Sequence, residues 1–563
     1  MKQPYLFVFT IGPVQSFISQ ARKTKDLYYG SYILSYLSNE AIKELKSIMQ
    51  ENCEIIFPNE VSLNRFDILS IPNRFLAELR VENKEDIKSI AKMLEKKVRE
   101  TFMQYGLKFI DSVSNPKEDT EEYKNQLNDL LEIFWAAIEK NNYHENYILL
   151  EKTLGAVKNI RGFKQIDERL GKRKCSICGQ HNALVKQKKS EMKYEELCAV
   201  CWTKRNLDKV LKTQKGFPST AKVAAYDGIY ALEQEPEGKQ LLEKYKEIFG
   251  DDFNDELLFE ENVNKQFFTK YNLENYFKEE TLQTFRELND FRKGHDINFS
   301  KYYAIVMLDG DNMGKWLSGA NLESNTSLYD FHKNVSLKLV EYTNKVNDII
   351  TEPIGKVVYS GGDDVLALVN LKNLVDILRE LRKEFPQFLD GKKITTASCG
   401  VCIAHYKTPL NQALEWAREA EHHAKEMYDK DALSIVILKH SGEITRCRFK
   451  WYSDQTKEES LAIIKDIQNR ILNNILNTSL LFKIQESLRG IGDSISVNMF
   501  KTEVKRLVKR SLNQNLSEVE TKKNTIEITD NLVKLYDLTH YKLSDVFNIL
   551  DFIAFLVRGE TND

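Results

Sequence analysis

Residues 302–316 read YYAIVMLDGDNMGKW and residues 356–369 read KVVYSGGDDVLALV. The first stretch is a continuous apolar run of strand length, Tyr302 to Leu308, that stops at Asp309-Gly310-Asp311. The second is a pair of β-rich runs, Lys356 to Ser360 and Val365 to Val369, on either side of a two-glycine break, which is the pattern of a hairpin. A helix is expected between them, from about Leu328 to Ile350. After them come a helix near 371–384, a strand at Thr395 to Ala404, a helix at Leu410 to Met427 and a strand at Leu433 to Leu438. The order βα–ββ–αβ–αβ predicts an α+β palm of the ferredoxin-like kind, with helices on one face of a mostly antiparallel sheet.

Working outward, residues 4–11 (PYLFVFTI) form another apolar run, ending at Gly12-Pro13. Phe17, Ala21, Leu27, Ile33, Leu34 and Leu37 then recur at roughly helical spacing, with Ser16 a candidate cap, so the chain opens as an α/β unit. Residues 85–105 and 120–140 read as two more helices. The stretch 160–222 is rich in Lys, Arg and Cys and lacks sustained periodicity until Leu207, as a small metal-held module would. From 230 to 292 the pattern is charged and helical, broken at Gly250-Asp251-Asp252, and from about 455 to the end it is almost wholly helical, a bundle.

The chain has 563 residues, enough for three or four domains at ~150 residues each. Its 81 basic and 83 acidic side chains leave a net charge of -2, which argues against a basic nucleic-acid coat and against an acidic solvating tail. No run approaches the ~18 apolar residues of a membrane span; Val546 to Val557 is interrupted by Asn548 and Asp551. The N-terminus has no small-residue cleavage site and reads as a strand. The expectation is a soluble, intracellular, multidomain protein without membrane contact.

Four of the eight cysteines form two pairs, Cys175-Ser-Ile-Cys178 and Cys198-Ala-Val-Cys201, with 19 residues between them. Two such knuckles supply four thiolates for one tetrahedral Zn²⁺, and four thiolates leave no position for water, so the metal is expected to be structural. A redox role needs a CxxC at the head of a βαβ helix, a context this segment lacks. In Ser360-Gly361-Gly362-Asp363-Asp364 the glycines let backbone approach a phosphate chain. Asp309 stands at the end of the neighbouring predicted strand, about fifty residues upstream. Three carboxylates on paired strands suit two divalent cations, which bridge phosphate oxygens and lower the pKa of an attacking hydroxyl. An isolated GGDD is often an ordinary polar turn; the partner LDGDNMG at a strand end is what favours chemistry.

Lys425, on the helix after the last inner strand, is placed to meet a triphosphate or to stay a solvated helix lysine. Asp311 suits either a ribose hydrogen bond or a cap of the following turn. His405 reads as a packed or capping residue, and His295-Asp296 as a loop dipeptide. No G-x-x-x-x-G-K-[ST], G-x-S-x-G or HExxH occurs. Basic groups at Lys186, Lys188 and Lys189, and at Lys505, Arg506, Lys509 and Arg510, can meet RNA phosphates or simply face solvent. Gln20-Ala-Arg22-Lys23-Thr-Lys25, on the first helix, is the more suggestive basic stretch.

In this order the motifs resemble the large polymerase/cyclase subunit of type III-B (Cmr-type) CRISPR–Cas effector complexes. The resemblance is carried by FTIGPVQSFISQARKTKDLYYGSYILSYL (9–37), IPNRF (71–75), CSICG and CAVCWTKR (175–205), FPSTAKVA (217–224), LDGDNMGKW (308–316), SGGDD (360–364) and SCGVCIAHYKTPL (398–410). It implies two ferredoxin-like palms: a non-catalytic one in 1–159 and a catalytic one in 296–445. A zinc-knuckle and helical domain (160–295) lies between them, and a helical domain (446–563) follows. It implies a cytoplasmic complex with a small helical subunit, backbone subunits, a subunit capping the guide 5′ end, guide RNA and target RNA. The resemblance further implies that on target recognition the second palm would convert ATP into cyclic oligoadenylate second messengers. Carried over by position, Asp309, Asp363 and Asp364 would hold two Mg²⁺ or Mn²⁺ with the Gly310 carbonyl. Gly310, Asp311, Ser360, Gly361, Gly362 and Lys425 would meet the nucleotide. Because the chain opens at the first palm, no HD-type nuclease activity is expected. Two alternatives remain: AMP conjugation to S-adenosylmethionine by the same palm, and a catalytically silent scaffold. A stand-alone GGDEF-type cyclase would need neither the cysteine knuckles nor the helical tail.

Overall fold

The computed structural model describes residues 2–59, 71–160, 171–190, 193–211, 216–323, 325–390, 393–453 and 457–561. Strand β1 (Gln3–Gly12) is buried along nearly its whole length, which is why its sequence runs apolar instead of alternating. It lies between β3 (Arg74–Val81) and β4 (Glu132–Glu139), with β2 (Cys53–Phe57) outside β3, all antiparallel, in the order β2-β3-β1-β4. With helices between β1 and β2 and between β3 and β4, this is a β-α-β-β-α-β unit of ferredoxin-like topology. Phe7, Phe9 and Ile11 face α2 (Thr24–Met49) and α3 (Lys84–Leu107), while Leu6 and Val8 face α5 (Tyr143–Asn159).

Two expectations change here. The first helix is broken into α1 (Gln15–Ser19) and α2, because the Asp26 carboxylate accepts the backbone N–H groups of Arg22 and Lys23 at 3.2 and 3.0 Å and starts a new helix. Ser16 therefore lies inside α1 and caps nothing, and Gln20 to Lys23 form the break. The stretch 120–140 is not one helix: α4 (Pro116–Asn128) ends and β4 begins after three intervening residues. The aromatic and branched residues Ile133, Phe134, Trp135 and Ile138 favour a strand, and β1 offers an open edge for it.

The second sheet has six strands: β7 (Tyr302–Gly310), β8 (Gly355–Gly361), β9 (Asp364–Asn370), β10 (Ala397–His405), β11 (Ala432–Leu438) and β12 (Ile444–Lys450). Between the two sheets, β5 (Val185–Ser190) and β6 (Lys193–Leu197) make a small ribbon. The six-stranded order is β12-β11-β10-β7-β9-β8, antiparallel except for the β10–β11 pair. Strands β7 to β10 repeat the topology of the first sheet. β12 is the edge strand that the alternating charged sequence ITRCRFK concealed, and it carries the sheet past residue 445.

Helices on one face alone are also not what is found. Ala304, Val306 and Leu308 face α7 (Leu328–Ile349) and α8 (Leu374–Glu384), whereas Tyr303, Ile305, Cys402 and Ala404 face α9 (Leu410–Lys425). α9 is the crossover between the parallel strands β10 and β11 and packs on the opposite side. Gly400 permits this: a Cβ there would lie 2.1 Å from the Glu421 amide nitrogen and 2.5 Å from the Ala417 carbonyl. Five further helices, α10 (Ser460–Leu472), α11 (Ser479–Leu488), α12 (Val497–Ser511), α13 (Glu518–Leu538) and α14 (Leu543–Thr561), join the core on the α7–α8 face. Among the described residues no helix is long and apolar enough to cross a membrane.

Candidate active site

Asp309 is the penultimate residue of β7, and Asp364 opens β9, its hydrogen-bonded neighbour. Asp363 sits in the two-residue turn between β8 and β9, where Gly362 adopts φ +80°. This topology gathers the three carboxylates so that one oxygen from each lies within 4.8 Å of the others. Burial and the charge of Asp309 lift the Asp363 carboxyl to about 6. Burial and the hydrogen bond to Asp309 hold Asp364 well above the carboxylate range. Like charges at this spacing exclude full ionisation unless cations join them, so the donor set, all hard oxygens, fits Mg²⁺ or Mn²⁺.

The glycines serve close packing. A Cβ on Gly310 would sit 2.9 Å from the Asp363 Cβ and 2.7 Å from Met313 Cγ, so glycine lets the turn approach the end of β7. A Cβ on Gly361 would meet the Tyr359 hydroxyl at 2.1 Å; that hydroxyl donates to the Gly361 carbonyl at 3.2 Å. Tyr359 was not foreseen. Burial, then the three nearby carboxylates, keep its phenol protonated well above its ordinary range.

Lys425, in the last turn of α9, reaches back to the cluster. Its ammonium pairs with Asp309 and, at 2.5 Å, with Glu421 one helical turn earlier. Burial opposes its charge, but these two carboxylates outweigh that and hold it above its ordinary value. Glu421, another residue not foreseen, was legible as the i−4 partner of Lys425.

Two predicted nucleotide contacts point elsewhere. Asp311 is 1% exposed, and its carboxylate accepts Thr396 Oγ1 and Ser398 Oγ, both at 2.8 Å, and the Asp431 backbone N–H at 3.0 Å. That is a structural anchor with no free face for a ribose. Ser360 is fully buried against Thr343 of α7. Both corrections share a cause: their side chains project into the protein, and only the backbone borders the carboxylates.

Cys175, Cys178, Cys198 and Cys201 converge with their sulfurs within 4.8 Å of one another, which fits a closed zinc site. Cys198 caps α6 (Ala199–Asn206), its sulfur accepting the Cys201 N–H at 3.4 Å. Three and four residues beyond Cys201 on α6, Lys204 and Arg205 reach the α1–α2 segment. Lys204 donates to the Phe17 and Gln20 carbonyls at 2.7 and 2.6 Å. Arg205 forks onto Asp26 and reaches Glu195 at 2.9 Å. The knuckle thus clamps the break between α1 and α2.

His405 is a packed residue, stacked between Tyr406 and His440 with its imidazole lowered to about 4 by burial. His295 stacks on Phe291 at a helix end. Lys186 faces Glu196 across the β5–β6 ribbon at 3.6 Å, and Arg506 pairs with Glu503; the Lys189 side chain lies outside the described residues.

Comparison with known proteins gives two family matches: "Cas10/Cmr2, second palm domain" over residues 302–434 and "CRISPR-associated protein Cmr2, N-terminal" over residues 6–106. The chain is 25% identical to the CRISPR system Cmr subunit Cmr2 of Pyrococcus furiosus, covering 84% of this chain and 67% of that protein. It is 26% identical over 165 residues to a CRISPR system single-strand-specific deoxyribonuclease, Cas10/Csm1 of subtype III-A, from Streptococcus thermophilus, covering 28% of this chain and 21% of that protein. Its fold matches a chain in the type III-B Cmr-beta complex bound to cognate target RNA with a TM-score of 0.64 at 17% identity, covering all of this chain and 83% of that one. The apo state of the same complex matches with a TM-score of 0.63 at 16% identity, covering 96% and 82%.

Proposed function

The chain is a subunit of the type III-B Cmr2/Cas10 kind, and on that premise we propose that its six-stranded palm is a nucleotidyltransferase that joins ATP into oligoadenylate, cyclic in its final form, when target RNA is bound. The observation that carries this reading is the convergence of Asp309, Asp363 and Asp364 beside the Lys425 ammonium. Asp309, Asp363 and Asp364 would hold divalent cations, which when bound would supply the charge that neutralises phosphate oxygens and acidifies a hydroxyl. In the reaction the 3′-oxygen of one nucleotide attacks the α-phosphorus of a second in line, the bond to pyrophosphate breaks, and the hydroxyl proton leaves to solvent. The protein's part is positioning and charge. Lys425, released from Asp309, follows the triphosphate, and Gly361 and Gly362 leave backbone bare beside it.

The remainder is read as scaffold. Residues 1–159 form a second palm whose described residues hold no acidic triad, 160–295 a zinc-bearing connector, 296–450 the catalytic palm, extended by β12, and 451–563 a helical domain. The partners are the small helical, backbone and guide-capping subunits of a cytoplasmic Cmr-type complex, with its guide and target RNA. The similarity to a complex solved with cognate target RNA supports this assembly.

The test is mass spectrometry of products from the reconstituted complex given ATP and Mn²⁺. Target RNA should switch on adenylate oligomers. Production of an adenylate–S-adenosylmethionine adduct when both substrates are present would move the assignment to that conjugation. Oligomers made by the chain alone, without RNA, would favour a stand-alone cyclase.

A further inference from the structure

Two segments carry the chemistry of the palm: the exit of β7, which holds Asp309, and the last turn of α9, which holds Lys425. They are joined behind the site by Asp311. Its carboxylate takes three donors from three places at once: Thr396 just before β10, Ser398 within β10, and the backbone N–H of Asp431 in the turn after α9. Ser398 is also the cross-strand partner of Asp309, and the Asp311 N–H donates to the Thr396 carbonyl at 2.8 Å. The group is 1% exposed, so these bonds do not compete with water.

The turn it holds is an unusual one. Asp429, Lys430 and Asp431 are consecutive non-glycine residues with φ of 55°, 51° and 47°, a conformation that side chains rarely adopt even singly. Surrounding bonds maintain it. Lys450 donates to the Tyr428 and Lys430 carbonyls at 2.9 and 2.5 Å, the Arg382 guanidinium pairs with the Asp431 carboxylate at 2.8 Å, and Lys430 reaches Asn312 Oδ1 at 3.1 Å. Asn312, which follows Asp311, is itself left-handed at φ 56°. The exit of β7 and the exit of α9 are thus two strained loops fastened to each other, with Asp311 as the shared buried acceptor.

We infer that Asp311 is a positioning residue for the nucleotidyl-transfer site, fixing the Lys425 end of α9 against the Asp309 end of β7 so that the lysine and the carboxylates keep one spacing whether paired with each other or with cations and phosphate. The inference rests on the reading of the palm given above. It predicts coupling. Because Asp311 touches no carboxylate of the cluster, its effect must pass through the geometry of Lys425 and Asp309.

The experiment compares Asp311→Ala, Asp311→Asn, Lys425→Ala and Asp311→Ala/Lys425→Ala in the assembled, RNA-activated complex. The readouts are turnover, ATP KM, melting temperature and Mn²⁺ binding by electron paramagnetic resonance. Asp311→Ala should lower kcat about 10–100-fold, the range for residues that orient a metal site, and weaken Mn²⁺ binding. Asp311→Asn, which keeps one acceptor for the Asp431 N–H, should recover part of both. The double variant should be no worse than Lys425→Ala. Losses that multiply in the double variant, or Mn²⁺ binding unchanged in Asp311→Ala, would overturn the inference. If the parent complex makes no product, the reading of the palm fails, and the Mn²⁺ titration still decides whether Asp311 shapes the carboxylate cluster. Should Asp311→Ala not fold, the same comparison is made with Asp311→Asn: weaker Mn²⁺ binding at an unchanged melting temperature supports the inference, and unchanged binding overturns it.

Discussion

The chain contains the β-α-β-β-α-β topology twice, and the two copies differ at the end of their first strand. β1 ends Ile11-Gly12 and β7 ends Asp309-Gly310. Ile11 is fully buried and pairs with Ile133, whereas Asp309 is half-buried and pairs with Ser398. Among the described residues the only carboxylate-rich cluster able to hold a metal ion belongs to the second copy. The same strand order therefore builds a core in one place and a site in the other. Among the described residues, what separates them is a single penultimate position together with Asp363 and Asp364 at the β8–β9 turn. The topology supplies adjacency, and the residue types at the strand ends supply the chemistry.

The difference can be broken most severely from the catalytic side. Asp309→Asn should cut product formation by at least on the order of 10²–10³-fold with the melting temperature held, measured as oligoadenylate per complex. Placing a carboxylate at the matching position of the first copy should do the reverse. Ile11→Asp buries an unpaired charge and should cost about 3–5 kcal/mol in a denaturant titration while conferring no new Mn²⁺ site. Asp26→Ala should be comparably destabilising, about 3–5 kcal/mol, because it takes the forked carboxylate from the buried Arg205 guanidinium, leaving Glu195 to balance it, and cuts the tie of the cysteine knuckle to α2. Its expected signature is loss of that region's protection in hydrogen exchange while the palm stays protected.

The smallest effect concerns pH. The Asp363 carboxyl lies at about 6, above its ordinary 3.8, in the metal-free protein. Cation binding to the triad should weaken as pH falls through about 6, since protons and metal compete for one group. The stability of the metal-free palm should move the opposite way. The folded state binds the proton more tightly than the unfolded chain, so this carboxyl favours folding as pH drops from above 6 toward 4. Isothermal titration with Mn²⁺ and a melting series over that window read the two trends separately.

Much of this arrangement was legible in the residue pattern, and the exceptions have physical reasons. YYAIVML and VLALV announced central strands because a strand buried on both faces runs continuously apolar. The acid-bearing strand end and the two-glycine turn were readable because each is local. β4 reads as helix in the sequence because the helical spacing of α4 runs directly into it, and only the open edge of β1 decides otherwise. β12 was hidden because an edge strand alternates, and its polar half resembles a loop. The inward turn of Asp311 depends on donors 85 to 120 residues away along the chain, and that of Ser360 on Thr343 of α7, 17 residues before it, which no local window contains. The Asp26–Arg205 clamp was invisible for the same reason.

The most direct test of the central claim is mass spectrometry of ATP-derived products from the assembled complex with cognate target RNA, comparing the parent chain with Asp363→Ala/Asp364→Ala. Oligoadenylate from the parent and none from the double variant, with both complexes equally assembled, is the predicted result. Undiminished synthesis by the double variant would contradict the assignment of the carboxylate cluster as the reacting centre.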